Sequence, residues 1–162
     1  MVAANAAVAP LLAGVADADL LKPPVNVLRL SLHPAGLAPR IANLPEWRSH
    51  LLERLRRQVD LSGDPVLVEL LRELSAYPAP RGRPPAVPSH GSVVVPLRLT
   101  TEDGAILSFL STTTVFGTPV DVTLAELALE SFFPADAATA EALRRQAGVP
   151  SEPASPVGKA GG

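Results

Sequence analysis

The chain has 162 residues, a formal net charge of −2, 18 prolines and no cysteine. That length suffices for one domain with a buried core, while the near-neutral charge supplies no global field toward nucleic acid and the missing thiols exclude disulfides and thiolate metal sites. No run of about 18 apolar residues is available to span a bilayer and no basic segment precedes the apolar N-terminus, so a soluble, cytoplasmic protein without a secretory leader is the default expectation.

Residues 1–12, MVAANAAVAPLL, read either as a short helix or as a strand followed by one. The sequence opens directly on them, as a longer protein would if cut there. Residues 16–24 form a loop around Asp17, Asp19 and Pro23-Pro24. Asn26 can then cap a short helix through Val27, Leu28, Leu30, Ser31 and Leu32. That helix ends at His33-Pro34, because the residue before proline is pushed out of the α region. A connection with Gly36, Pro39 and Arg40 leads to the clearest helix. Asn43 is placed as its N-cap with Glu46 three residues on, close to a capping box, and Pro45 is tolerated in the first turn. Leu44, Trp47, Leu51, Leu55 and Val59 form an apolar stripe at helical spacing with Leu52 beside it. Arg48, Glu53, Arg54, Arg56 and Arg57 read as a solvated face. Ser62-Gly63-Asp64-Pro65 stops this helix and starts another, with Asp64 as cap and Pro65 at its first position. Leu67, Leu70, Leu71 and Leu74 give the second stripe, and the pair makes an αα-hairpin that can lie on a sheet.

A stiff proline-rich stretch, 77–91, separates this helical half from a strand half. Val93, Val95, Leu97 and Leu99 alternate with Val94, Pro96, Arg98 and Thr100, a period of two. Pro96 cannot donate to a ladder, so this strand is expected at an edge or bulged. Thr101-Glu102-Asp103-Gly104 supplies the positive φ of a tight hairpin, and 105–117 returns as the central strand. It is apolar on both sides, with Leu107, Phe109 and Val115 on one and Ile106, Leu110 and Phe116 on the other, which predicts cover on both faces from helices or a partner. Ser108, Ser111, Thr112, Thr113 and Thr114 interrupt the apolar pattern, either as ordinary strand residues or as hydroxyls lining a cavity behind the sheet. A second hairpin is placed near Gly117-Thr118-Pro119. Over 122–133 local propensity favours a helix, since Leu, Ala and Glu are helix formers. Asp136 caps a terminal helix, Ala137–Gln146, and 149–162 is composed like a disordered tail. Neither half looks self-sufficient, which makes 1–148 one α+β domain.

The chemistry of catalysis is missing from this pattern. There is no phosphate-cradling glycine loop and no nucleophile elbow, and His33, His50 and His90 share no metal-ligand spacing. Glu126 and Glu130 read as exposed surface carboxylates, and His50 as a half-buried histidine beside Trp47. The residues favour a binding or sensing module over an enzyme, with no cofactor.

Four stretches carry a resemblance: NVLRLSLHPAGLAPRIANLPEWRSHLLERLRR (26–57), SFLSTTTVF (108–116), GTPVD (117–121) and ESFFPADAATAEAL (130–143). In that order they are similar to the C-terminal domain of MmyB-like transcriptional regulators, which carry an Xre-type helix-turn-helix in front. The resemblance covers about residues 1–146 and implies a PAS-like fold, an antiparallel sheet with helices packed on one face. It implies strand rather than helix for 122–133, a strand over 2–5 and a helix over 6–12. It also implies an effector-sensing role with a fatty-acid-like guest, and DNA contact only through a helix-turn-helix that this chain lacks. The guest is then expected in a cavity between sheet and helices, among Trp47, Leu51, Leu55, Leu107, Phe109 and Val115, with Arg40 or His50 meeting a carboxylate at the mouth. Burying an acyl chain there yields about 0.8 kcal/mol per CH₂. The competing readings are that these side chains simply pack one another, and that the domain is a dimerisation or partner-docking module with no small-molecule ligand.

Overall fold

The computed structural model describes residues 8–78, 95–116 and 127–148, and only the backbone at 10, 113–116 and 127–129. In chain order come α1 (Ala9–Leu12), a 3-10 turn (Ala18–Leu21), α2 (Val27–Leu32), a second 3-10 turn (Ala38–Arg40), α3 (Leu44–Ser62), α4 (Pro65–Ala76), β1 (Leu97–Thr100), β2 (Ile106–Phe116), β3 (Leu127–Pro134) and α5 (Ala137–Gln146). The architecture is α+β, with an antiparallel sheet in the order β1-β2-β3. The strand expected over 2–5, the 79–91 portion of the proline-rich stretch with the start of the strand run at 93–94, the second hairpin at 117–119, the 122–126 part of the strand expected over 122–133 and the tail over 149–162 lie outside the described residues.

Three helix starts follow their side-chain caps. The Asn26 carboxamide accepts from the Leu28 and Arg29 amides, the Asp64 carboxylate from Val66 and the Asp136 carboxylate from Thr139, each pairing amides that the helix itself leaves open. Gly63, at φ 63°, ends α3 in the left-handed conformation that glycine adopts without a Cβ penalty.

Asn43 holds the N-cap position of α3 and its Nδ2 donates to Glu46 Oε2 at 3.2 Å, but the side-chain cap on the helix amides is absent. Its Oδ1 accepts from the Arg98 amide at 3.1 Å and its Nδ2 also donates to the Pro96 carbonyl at 2.8 Å. With Ala42 N donating to Arg98 O and a bridge between Ile41 and Leu99, it pairs the side of β1 that no described strand occupies. An edge strand whose backbone is otherwise unpaired competes for an amide side chain more strongly than a helix end open to water.

The hairpin between β1 and β2 forms where Asp103-Gly104 place it, with Gly104 at φ 84°. Over 127–134 the helix favoured by local propensity is overturned: Leu127–Pro134 is a strand, paired with β2 from Phe109↔Pro134 to Phe116↔Leu127. Eight paired positions outweigh the few tenths of a kcal/mol per residue that separate the propensities.

Paired residues share a face, so the register sorts the sheet. The inner face carries Leu97, Leu99, Leu107, Phe109, Ser111, Glu130 and Phe132; the outer face carries Ile106, Ser108, Leu110, Ser131 and Phe133. One core cluster joins the inner positions Leu97, Leu99, Leu107 and Phe109 to Leu30 and Leu32 of α2, Trp47, Leu51, Leu52 and Leu55 of α3, and Leu70 and Leu74 of α4. Ala142 and Leu143 of α5 pack against the same cluster. Cover by helices is therefore found on one face among the described residues, which leaves the other to the partner that the sequence reading allowed. Helices cover the inner face, while Ile106, Leu110 and Phe133 on the outer face stay exposed.

Candidate functional site

Two parts of the inner face differ in how well they are sealed. Leu107 and Phe109 lie beneath the helices, and Phe109 is 2 % exposed. Phe132, which continues the same face on β3, is 40 % exposed, and its ring meets that of Phe109 edge-on at 6.4 Å. The apolar layer thus runs out from under the helices before it ends.

Beside Phe132, two residues back along β3, Glu130 also points to the inner face, opposite Thr113. It is half-buried rather than the exposed carboxylate expected from the sequence. Burial pushes its carboxyl above the usual range, and Arg54 partly offsets this. Arg54 belongs to α3, where His50, Arg54 and Arg57 follow one another at spacings of four and three, so they line one flank of the Trp47–Leu51–Leu55 stripe. The opposite flank faces α4: there Arg48 Nη2 donates to the Ser75 carbonyl at 2.9 Å, so Arg48 closes the end of α4 instead of belonging to a solvated face. His50 is half-buried with its ring 5.8 Å from that of Trp47. Burial lowers its pKa below the ordinary value, and Arg54 and Arg57 push in the same direction.

The anticipated lining residues divide into three groups. Trp47, Leu51, Leu55, Leu107 and Phe109 are gathered in the single core cluster. The indole Nε1–H of Trp47 donates to Ser31 Oγ at 3.0 Å, so the polar atom of this buried ring is satisfied. Val115 lies on β2 opposite Ala128, farther along the same face. Arg40 is not at this place: its guanidinium donates to the carbonyls of Thr100 at 3.1 Å, Leu11 at 3.1 Å and Ala13. It ties the segment after α1 to the end of β1, and those donors are engaged. Of the strand hydroxyls, Ser111 faces inward and is half-buried. Thr139, from α5, is fully buried and accepts from the Ser108 amide at 2.9 Å.

Two surface grooves flank Arg29. One of about 360 Å³ lies among Asn26, Arg29, Pro65, Val66, Glu69 and Leu70, and a smaller one of about 110 Å³ among Asp19, Leu20, Lys22, Pro24, Asn26 and Arg29. Neither touches a strand. Arg29 itself donates to Glu73 from Nε to both carboxylate oxygens and from Nη2 to Oε2 at 2.7 Å, and Tyr77 donates to the same carboxylate at 2.6 Å. This polar lock fastens α2 to the end of α4. Among the described residues no group of three His, Cys, Asp or Glu is placed to hold a metal, and no helix is long and apolar enough to cross a membrane.

The sequence reading placed Glu130 as an exposed surface carboxylate and Arg54 on a solvated face, and gave Phe132 no place on the inner face; Glu130 and Arg54 are half-buried. The signal was present but conditional: once 127–134 is a strand, the period of two puts Glu130 and Phe132 on one face.

Comparison with known proteins gives one finding. Residues 1–145 match the model of a family described as the MmyB-like transcription regulator ligand binding domain. No curated protein and no solved structure matches the chain.

Proposed function

Because the chain belongs to the MmyB-like transcription regulator ligand binding domain family, we propose that it is the effector-sensing part of such a regulator, a PAS-like domain that lodges a fatty-acid-like guest between its sheet and α3. The observation that carries this reading is the exposure of Phe132 on the face that buries Phe109. The core beneath α2, α3 and α4 is already filled by its own side chains, and filled cores resist insertion. A guest therefore belongs beyond them, resting on the exposed ring of Phe132, with Phe109 and the filled core of Trp47, Leu51 and Leu55 behind it and Val115 farther along the same face. Each methylene removed from water there contributes about 0.8 kcal/mol.

Native mass spectrometry of protein purified from cells, and of the same protein incubated with dodecanoate, tests this. One adduct of lipid size per chain is expected, lost in Phe132→Ala and retained in Phe133→Ala, whose side chain is on the other face. Bare protein in both preparations would overturn the reading.

A second reading rests on the outer face. Leu110 and Phe133 are directly paired there, Ile106 lies four residues from Leu110, and all three are exposed. An apolar group of this kind suits a partner or a second copy of the chain. Under that reading the spectra contain a bare homodimer that Phe133→Ala dissociates.

A further inference from the structure

The connection between α2 and α3 holds two parts of the chain at once. On one side it holds residues 8–17. The Ala35 carbonyl accepts from the amides of Ala16 at 3.0 Å and Asp17 at 3.1 Å, and Arg40 Nη1 donates to the carbonyls of Leu11 at 3.1 Å and of Ala13. On the other side it holds β1. Ile41 bridges Leu99, Ala42 N donates to Arg98 O at 2.8 Å, and Arg40 Nε donates to the Thr100 carbonyl at 3.1 Å. The Arg40 side chain therefore reaches both sides. Its Nε and Nη1 belong to one rigid planar fork, which fixes the two sides relative to each other.

Neither side is strong alone. α1 is a single turn of four residues, too short to persist by its own hydrogen bonds. Leu11, Leu12 and Val15 are only partly buried against the core cluster. The last carbonyls of a helix have no partner inside it, and an arginine that bonds them holds the end together. Thr100 is the last residue of β1 and leads straight into an exposed hairpin, closed by Thr101 N to Ala105 O at 2.8 Å and Gly104 N to Thr101 O at 3.0 Å. Segments with few buried contacts open locally while the rest of a fold stays closed.

We infer that residues 8–17 form a strap latched by Arg40 to the end of β1, so that the strap and the β1–β2 hairpin open and close as one unit. Opening the hairpin withdraws the Thr100 carbonyl and frees the guanidinium to turn away from Leu11 and Ala13. Opening the strap removes the bonds that aim the same guanidinium at Thr100. Such a coupling is reciprocal. A change in the sheet is thereby felt at α1, with or without a guest.

Two glycines in the left-handed conformation, one on each side, make the test. Gly14 lies in the strap at φ 80° and Gly104 in the hairpin at φ 84°. A Cβ at Gly104 would meet nothing within 4 Å, and one at Gly14 would come no nearer than 3.9 Å to Arg40 Nη1, so alanine at either position strains the local backbone without a clash. Amide exchange of the whole chain, followed by NMR, reads the strap at Val15, Ala16 and Asp17 and the hairpin at Thr101. Gly104→Ala should speed exchange in the strap, and Gly14→Ala exchange at Thr101, each by up to about fivefold. Arg40→Ala should speed exchange at both places by about tenfold, the factor that one hydrogen bond to a charged group contributes, and should abolish both cross effects. The α4 amides stay protected in every variant, which shows that the domain is folded. Arg40→Lys keeps the charge without the rigid fork and repeats the test where alanine fails to fold. Absence of the cross effects, or their survival in the Arg40 variants, overturns the latch.

Discussion

The two ends of the inner sheet face each carry a phenylalanine, Phe109 and Phe132, whose rings touch, and the two have opposite fates. At the end formed by Leu97, Leu99, Leu107 and Phe109, every side chain is sealed beneath helices. At the other end Phe132 is half in water and Glu130 has no partner among the described residues. The contrast separates stability from function. Close packing of aliphatic and aromatic side chains holds the first end in one arrangement, whereas the described residues leave Phe132 at the second end partly open.

Paired truncations break this comparison most sharply. Phe109→Ala empties a buried aromatic site and should cost about 3–5 kcal/mol, read from urea unfolding. Phe132→Ala, on the same face and touching the same ring, should cost only about 1–2 kcal/mol, because less of its surface is removed from water on folding. Guest binding reverses the order of interest, since Phe132→Ala is the variant expected to lose the adduct while staying folded. Equal destabilisation by the two would mean that the second end is as well packed as the first.

A smaller effect sharpens the sealed end. Trp47 Nε1–H has one acceptor, Ser31 Oγ, in a buried setting. Ser31→Ala leaves that donor unsatisfied at the cost of about 1–3 kcal/mol, and it should shift Trp47 fluorescence, which the single tryptophan of the chain makes easy to assign.

How much of this was legible beforehand depends on whether the deciding partner is near in sequence. Asn26, Asp64 and Asp136 act on amides two or three residues away, and their helices start where the sequence places them. Asp103-Gly104 turns its own hairpin. Asn43, Arg40 and Arg48 find their partners up to 60 residues off, among carbonyls and amides that any residue type presents, so nothing in composition marks them. Arginine, with five donors, is especially prone to this: two that looked like solvated or ligand-binding groups hold backbone carbonyls instead. The 127–134 strand is the reverse case. Its leucines, alanine and glutamate read locally as helix, and only pairing with β2 makes them a strand; the family resemblance supplied what propensity could not. The site residues followed the same rule, since Glu130 and Phe132 become a pair only in strand geometry.

The smallest effect, and the most diagnostic, is the pH dependence of stability at the open end. Burial raises the Glu130 carboxyl above its ordinary 4.5, so the folded chain holds that proton more tightly than the unfolded one. Its contribution to stability is complete below the unfolded value and is lost as pH rises through the folded one. His50 has the opposite sign. Its pKa falls below 6.5, so its contribution is present above 6.5 and is lost as pH drops through the folded value. Urea midpoints for the unaltered chain, Glu130→Gln and His50→Gln between pH 4.5 and pH 7.5 separate the two. Relative to the unaltered chain, Glu130→Gln should gain stability as pH rises from 4.5, and His50→Gln should gain as pH falls below 6.5. A Glu130→Gln difference that stays flat across that range would place Glu130 in water instead of half-buried at the open end.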